Sequence, residues 1–490
     1  MGEVAAQLNL LSSEEADLLH YSDANLKSPL SPLFLHIDIE SSSSAATTTP
    51  PPPDDEQLNP NLKDSWLPIT ESRKGNPYYA AFHILNSNIG FQALSLPLPF
   101  LTLGWAWGSI CLTVAFVWQL YTIILLLLLH ESLPGIRYSR YLFLAMAAFG
   151  KRMGKVAALF PVIYLSGGTC VLLIITGGGT LQQLFNTLCT QDTSLTALHC
   201  FFLFTCIAIL IAQLPNLNSM AAVSLIGAVV AISYCLLFWV LSVHKGRPTP
   251  LSYSPSSAHS NPFPILNAIA NIVFAFRGHN LLLEIQGTLP SSPEKPSNRL
   301  MLKGVSIAYV IIAMCVFPLA IVGFWAYGNQ ANGGLLAAFP KFHRHQVTKF
   351  SMGFLYLLII IHCLSSFQIY AMPVFDNLEL RYTSLKKKKC PRWLRTCLRL
   401  LFGGLTFFIA VAFPFLPKLS GLLGGMTLVP LTYAYPCFMW VAIKKPRKGG
   451  WVWCFNVGLG CFGMLLAALL VAAAISSLPH NPFHANFFKP

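Results

Sequence analysis

Four residues in a row, inside an otherwise apolar stretch, are equipped for chemistry: Arg277, Gly278, His279 and Asn280. A guanidinium and an imidazole can hold a carboxylate or pass a proton. Glu284, five residues past His279, adds a carboxylate. Ionisable groups inside a hydrocarbon layer are expensive and mark a ligand or proton path by default. An earlier polar interruption reads Asn86-Ser87-Asn88-Ile89-Gly90-Phe91-Gln92, with Pro97 and Pro99 following. Asn, Ser and Gly form helix poorly and Pro removes a ladder donor, so both segments read as breaks in helices. A broken helix offers unpaired N–H groups and partial positive charge at one half, and free carbonyls at the other. A zwitterion fits that arrangement, its carboxylate on the N–H groups and its ammonium, or a cation, on the carbonyls.

The residues then take roles. Ser87, Asn88, Ile89 and Gly90 are assigned to the substrate carboxylate, Gly90 allowing close approach. Gln92 narrows the pocket. Phe274 and Phe276 either wall the substrate side chain or pack between helices. Gly278 completes the second break. Arg277 pairs with a second substrate carboxylate, neutralises Glu284, or stands in for a coupling cation. His279 is a candidate proton carrier or a hydrogen-bonded structural histidine. Glu284 carries a proton or pairs with Arg277 or a basic loop residue.

The elements that must hold these residues follow from composition. The chain has 490 residues, of which 10% are charged and 54% hydrophobic, and its mean hydropathy is +0.58. Soluble domains carry about a quarter charged residues. An ordinary cytosolic enzyme and a secreted disulfide scaffold are therefore excluded, and an all-α polytopic membrane protein is expected. A spanning helix needs about 20 largely apolar residues. That rule gives 11 transmembrane helices, near 78–101, 104–130, 156–184, 197–214, 217–243, 263–289, 304–327, 348–378, 394–414, 419–443 and 451–477. The division between the fourth and fifth rests on the short turn Pro215–Ser219. The two interruptions fall in spans 1 and 6, which cross in opposite directions. A five-plus-five inverted repeat needs this inversion, and span 11 is left over.

Charge sets the orientation. Residues 1–76 hold 12 of the 18 acidic residues, so the net +14 divides into −8 for that segment and +22 for the rest. The basic residues lie in short loops, a pattern of membrane orientation and not of a nucleic-acid surface. With the N-terminus in the cytosol, 23 Lys and Arg fall on the cytosolic side and 7 outside. The C-terminus is then extracellular. Residues 1–63, rich in Ser, Thr and Pro, read as a disordered acidic cytosolic tail, and 64–490 as the transporter domain. No cleavable signal is expected, because no basic segment precedes an apolar run. Cys189 and Cys200 bracket the outer loop between spans 3 and 4, where a disulfide is feasible if two separate thiols do not remain. The other cysteines lie scattered in apolar spans, and no CxxC pair has zinc spacing, so no metal is expected. No metalloprotease, hydrolase-elbow or phosphate-loop motif occurs, so the chain is not expected to be an enzyme. The Gly177–Gly179 run is assigned to helix packing. Lys386–Lys389 reads as a surface charge run.

The motifs NSNIGFQALSLP with Gly104-Trp105, QLPNLNSMAAVSLIGAV, FAFRGHNLLLEIQGTLPSSPEKPS and SSFQIYAMPVFD occur in order. Over residues 65–490 the chain resembles the plant amino acid/auxin permease family, in its lysine/histidine-transporter branch. The resemblance implies the five-plus-five fold of bacterial leucine transporters, in the APC superfamily, and amino acid uptake coupled to protons. Ser365 and Ser366 resemble the place where that fold holds its second sodium, so sodium stays open as the coupling ion. The chain departs from the branch at Gly90-Phe91-Gln92, where Gly-Ala-Gly is usual, and at Arg277, where Ala is usual. The reading is a secondary active importer of amino acids, without cofactor, monomeric in the lipid bilayer of the plasma membrane, with an intracellular membrane as the alternative. A ligand-binding sensor that transports little is the second reading.

Overall fold

The structure is a computed structural model that describes residues 66–477 and 488, with short gaps at 134–135, 190–194, 215, 245–250, 254–261, 293, 332 and 344–346. The expected tail 1–63 and Pro215 of the expected turn lie outside the described residues. So do Lys63, Lys245, Arg247, Arg344 and Lys489 of the charge balance. The described residues are helical, and their strand pairing is confined to one isolated bridge between Leu133 and Ile136.

Helix α1 (Pro77–Asn88) starts where Asn76 Oδ1 accepts the Tyr79 N–H at 2.8 Å, with proline at the first helical position. It stops at Ile89, whose φ of −84° and ψ of 78° leave the helical region. A 3₁₀ turn, Phe91–Ser95, leads into α2 (Pro97–Leu129). That helix is broken at Gly104, where a φ of 69° with ψ −172° suits only glycine. The chain therefore turns between spans 1 and 2 without a loop. Next come α3 (Tyr141–Phe149), α4 (Lys151–Leu188), α5 (Ala197–Ile211) and α6 (Ala221–His244). Span 6 is divided into α7 (Phe263–Ala275) and α8 (His279–Gly287). The rest are α9 (Ser297–Tyr327), α10 (Leu335–His343), α11 (Lys349–Lys386), α12 (Arg392–Ala412), α13 (Leu416–Val429, continued through a π turn into Tyr435–Lys444) and α14 (Trp451–Ser477).

Eight of these segments are long and apolar enough to cross a membrane by themselves: α2, α4, α6, α9, α11, α12, α13 and α14. The other three expected spans are short or divided. Span 1 is α1 plus the start of α2, span 4 is the 15-residue α5, and span 6 is α7 plus α8. Helices α3 and α10, of nine residues each, were not expected, being too short for a spanning-length rule to register.

α1 packs against α6, α9 and α11, whereas α7 lies on α2, α13 and α14. Small residues set these approaches. A β-carbon on Gly177 or Gly178 would strike Phe204 or Phe201 of α5, a packing role that Gly179, which faces open space, does not share. At the end of the bundle where α1 begins, residues 66–75 fold back beneath the helices. Leu67, Ile69 and Thr70 are buried there. Pro68 accepts the Leu217 N–H at 3.4 Å, and the Gly75 N–H donates to Thr288 at 3.1 Å. Glu71 pairs with Lys389 at 2.7 Å, so one member of the lysine run binds this segment.

Candidate functional site

The two breaks meet. Gly278, with φ 97°, sits where any β-carbon would stand 2.5 Å from Asn88 Nδ2 and 3.3 Å from Ser87 Oγ. Asn88 Nδ2 donates to the Ile84 carbonyl at 3.0 Å. Gln119 of α2 ties the breaks together, its Nε2 donating to Asn88 Oδ1 at 3.0 Å and to the Arg277 carbonyl at 3.2 Å. The carbonyls freed at the end of α1 are met by phenols. Tyr370 donates to Ser87 O at 2.8 Å and Tyr234 to Ile89 O at 3.2 Å. Unwound backbone is thus paired inside the protein, as a lipid environment demands.

Between the breaks and α4 and α11 lies a small cavity of about 10 Å³, room for about one water. Ser87, Gly90, Gln92 and Arg277 line it, together with Asn86, Phe91, Thr169, Leu173, His362, Ser366 and Tyr370. An amino acid fits only after side chains withdraw. Gln92 is one of these, since its Oε1 folds to 2.6 Å from where a β-carbon on Gly90 would be. Gly90 has an extended backbone (φ −87°, ψ 172°) that any residue adopts, so its open space serves Gln92. Arg277 Nε leans on the Phe274 carbonyl at 3.4 Å.

Other expected residues lie apart from this cavity. Asn88, Ile89 and Gly278 form its second layer. Phe276 packs edge-on to Phe116 at 5.9 Å, between helices. Phe274 faces Gly424 of α13 and lines a separate cavity of about 220 Å³ between α7, α13 and α14, with Asn267, Asn271, Ser420 and Ser477. His279 Nε2 meets Thr122 Oγ1 at 2.9 Å, in the core against α2. Glu284, at the far end of α8, is buried near Arg140 and Asp376, and no ion pair joins it to Arg277. The feasible disulfide is not formed: Cys189 is an exposed free thiol at a helix end, while Cys200 is packed into the apolar core.

Ser365 and Ser366 do lie against α1. Ser365 Oγ donates to Val223 O at 2.7 Å and accepts from Asn86 Nδ2 at 2.8 Å. Ser366 Oγ donates to Asn86 O at 3.1 Å and sits 3.2 Å from His362 Nε2. His362 Nδ1 reaches Gly227 O at 3.2 Å. A side chain on Gly227 would strike both Ser365 and Asn86. His362, Asn86, Tyr370 and Gln119 are the site residues that sequence reasoning did not assign. Asn86 stands at the start of the polar interruption, and the signal of the others is polarity on an apolar helix, which ordinary helix contacts also produce.

Residues 73–476 match the family model described as transmembrane amino acid transporter protein. Lysine histidine transporter-like 8 of Arabidopsis thaliana is 51% identical over 441 residues, 89% of this chain and 84% of that protein. Lysine histidine transporter-like 7 of the same plant is 47% identical over 431 residues, 87% and 90% of the two chains. Among solved structures, a Na+-coupled sialic acid symporter superposes with a TM-score of 0.55 at 13% identity, over 85% of this chain and 92% of that one. A mutant manganese transporter of Eremococcus coleocola gives 0.51 at 14%, over 87% and 88%. At such identities the likeness concerns the fold alone, which is of the leucine-transporter type.

Proposed function

Because this chain belongs to the transmembrane amino acid transporter family, we propose that it imports amino acids by proton symport through a central site between its two broken spans. The observation that carries this reading is the meeting of the breaks: Gly278 against Asn88 and Ser87, beside a small cavity lined by Ser87, Gly90, Gln92 and Arg277. The N-terminal end of α8 and the turn after Gly90 supply N–H groups for a substrate carboxylate. The carbonyl ends of α1 and α7 receive the ammonium. Arg277 adds a fixed guanidinium, which favours substrates with a second anionic or strongly accepting group. Gln92 limits their size. Alternating access rocks the α1, α7 and α8 group against the remaining helices.

Proton coupling is favoured over sodium by the groups around Ser365 and Ser366. Asn86 turns an amide donor toward Ser365, and the His362 imidazole lies beside Ser366. A cation there must displace the donor and face the imidazole, whereas a proton needs neither change. Glu284 is the proton carrier of this reading. The end of the bundle holding residues 66–75 is cytosolic, as the distribution of Lys and Arg supports. The plasma membrane is the compartment, and the working unit is a monomer.

The test is uptake of a radiolabelled amino acid panel into proteoliposomes, with an inward proton gradient or a matched sodium gradient. Uptake driven by the proton gradient alone is expected. Uptake driven only by sodium removes proton symport. Ligand-dependent thermal stabilisation without flux, in correctly oriented protein, removes transport itself.

A further inference from the structure

Glu284 is 3% exposed and makes no hydrogen bond or ion pair among the described residues. A lone buried carboxylate is held at a price in free energy, so its neighbours deserve a functional account. α8 packs against α3 and α11, and this brings two charged residues beside Glu284. Arg140, immediately ahead of α3, and Asp376, on α11, are the charges that act on it. These two are paired to each other, Arg140 Nε to Asp376 Oδ2 at 2.6 Å, both side chains buried. The other oxygen of Asp376 accepts the Ile69 N–H at 3.3 Å. One carboxylate thus holds both the guanidinium and the segment that folds beneath the bundle.

Several neighbouring ionisable groups are engaged elsewhere, although neither ring nitrogen of buried His130 has a hydrogen bond among the described residues. Arg137 donates to Leu289 O at 2.9 Å and pairs with Glu131 at 3.1 Å. Glu379 pairs with Arg395 at 2.9 Å. His279 is bonded to Thr122 and His83 to Ser224. One guanidinium, paired with Asp376, therefore lies within electrostatic reach of a second buried carboxylate. A single cation cannot pair with both anions at once.

We infer that Glu284 and Asp376 compete for Arg140, so that loss of the Glu284 proton draws the guanidinium off Asp376 and loosens residues 66–75 from the cytosolic end of the transport path. This deepens the symport reading and rests on it. In the structure Arg140 is on Asp376 and the segment is docked, the state with Glu284 protonated. The proton passes from the Glu284 carboxyl to water on the cytosolic side, leaving a carboxylate that takes Arg140. Asp376, without its cation, remains as the weakened anchor of Ile69. Proton release and opening of the inner end then become one event, as a symporter needs.

Hydrogen exchange of the full-length protein in lipid nanodiscs tests this, read by mass spectrometry on peptides covering residues 66–75 from pH 5.5 to 8. Rates are divided by those of the same unprotected peptides at each pH. In the wild type, protection of this segment is expected to fall as pH rises, by up to about tenfold per pH unit, the one-proton limit. Glu284→Gln, which mimics the protonated form, keeps protection high and flat. Asp376→Asn lowers it across the range. A flat wild-type profile overturns the inference without any variant, and so does a Glu284→Gln profile that follows the wild type. Because the readout needs no substrate and no gradient, failure of this switch and failure of proton-driven uptake are separate results.

Discussion

Gly278→Ala probes the contact on which the site is built. At φ 97° and ψ −6° a β-carbon is strained, by about 1–3 kcal/mol. It also stands 2.5 Å from Asn88 Nδ2, in the buried centre of the bundle. Asn88 must move, and its bonds to Ile84 O and from Gln119 Nε2, each of 3.0 Å, are lost. Each contributes about 1 kcal/mol. The sum is about 3–5 kcal/mol, borne by the conformation in which the breaks meet. At about 1.4 kcal/mol per tenfold, uptake per folded molecule falls by about two to three and a half decades. The assay is initial uptake in proteoliposomes, normalised to folded protein by size-exclusion chromatography. Gly278→Ala uptake within about threefold of wild type would refute the reasoning. Asn88→Ala gives an internal control. Because both changes remove the same two bonds, the double variant is expected to lose little beyond Gly278→Ala alone. Additive losses would show that the residues act independently.

Gly90→Ala should behave differently. Its backbone is ordinary and the obstacle is the far end of Gln92, so a loss under about 1 kcal/mol in thermal unfolding is expected, with an altered size preference in the uptake panel. Arg277→Ala should fold and shift substrate preference away from anionic substrates, and unchanged uptake of every substrate would remove Arg277 from the site. Arg140→Ala leaves buried Asp376 without its cation and should destabilise by about 3–5 kcal/mol, whereas Lys389→Ala, which breaks a half-exposed pair, should change stability by about 0–1 kcal/mol. Both are read by chemical denaturation in the same detergent. A membrane-impermeant maleimide should label Cys189 and spare Cys200, and a reductant should not change the mass of the intact protein.

What the sequence determined by itself was the part governed by short-range rules. Few charges and repeated apolar runs required a membrane bundle, because a chain so poor in charge cannot coat a soluble surface. Asn, Ser and Gly around residue 89 and Arg-Gly-His at 277–279 required two broken helices, since the preferences that stop a helix are local. The structure unwinds the chain at Ile89–Gly90 and at Phe276–Gly278.

Tertiary structure decided which groups face which. Helix period alone does not tell whether Phe276 turns to a substrate or to Phe116, and the packing of α2 chose Phe116. Gly90 read as the close approach, yet the contact between the breaks belongs to Gly278, because only its positive φ and the reach of Asn88 together exclude a side chain. Glu284 read as a proton carrier or as a partner for Arg277 or a basic loop residue, and the packing of α8 brings it within reach of Arg140 and Asp376, distant in sequence, and not of Arg277. Charge pairing of that kind is fixed by how helices are brought together, and local preference carries no information about it.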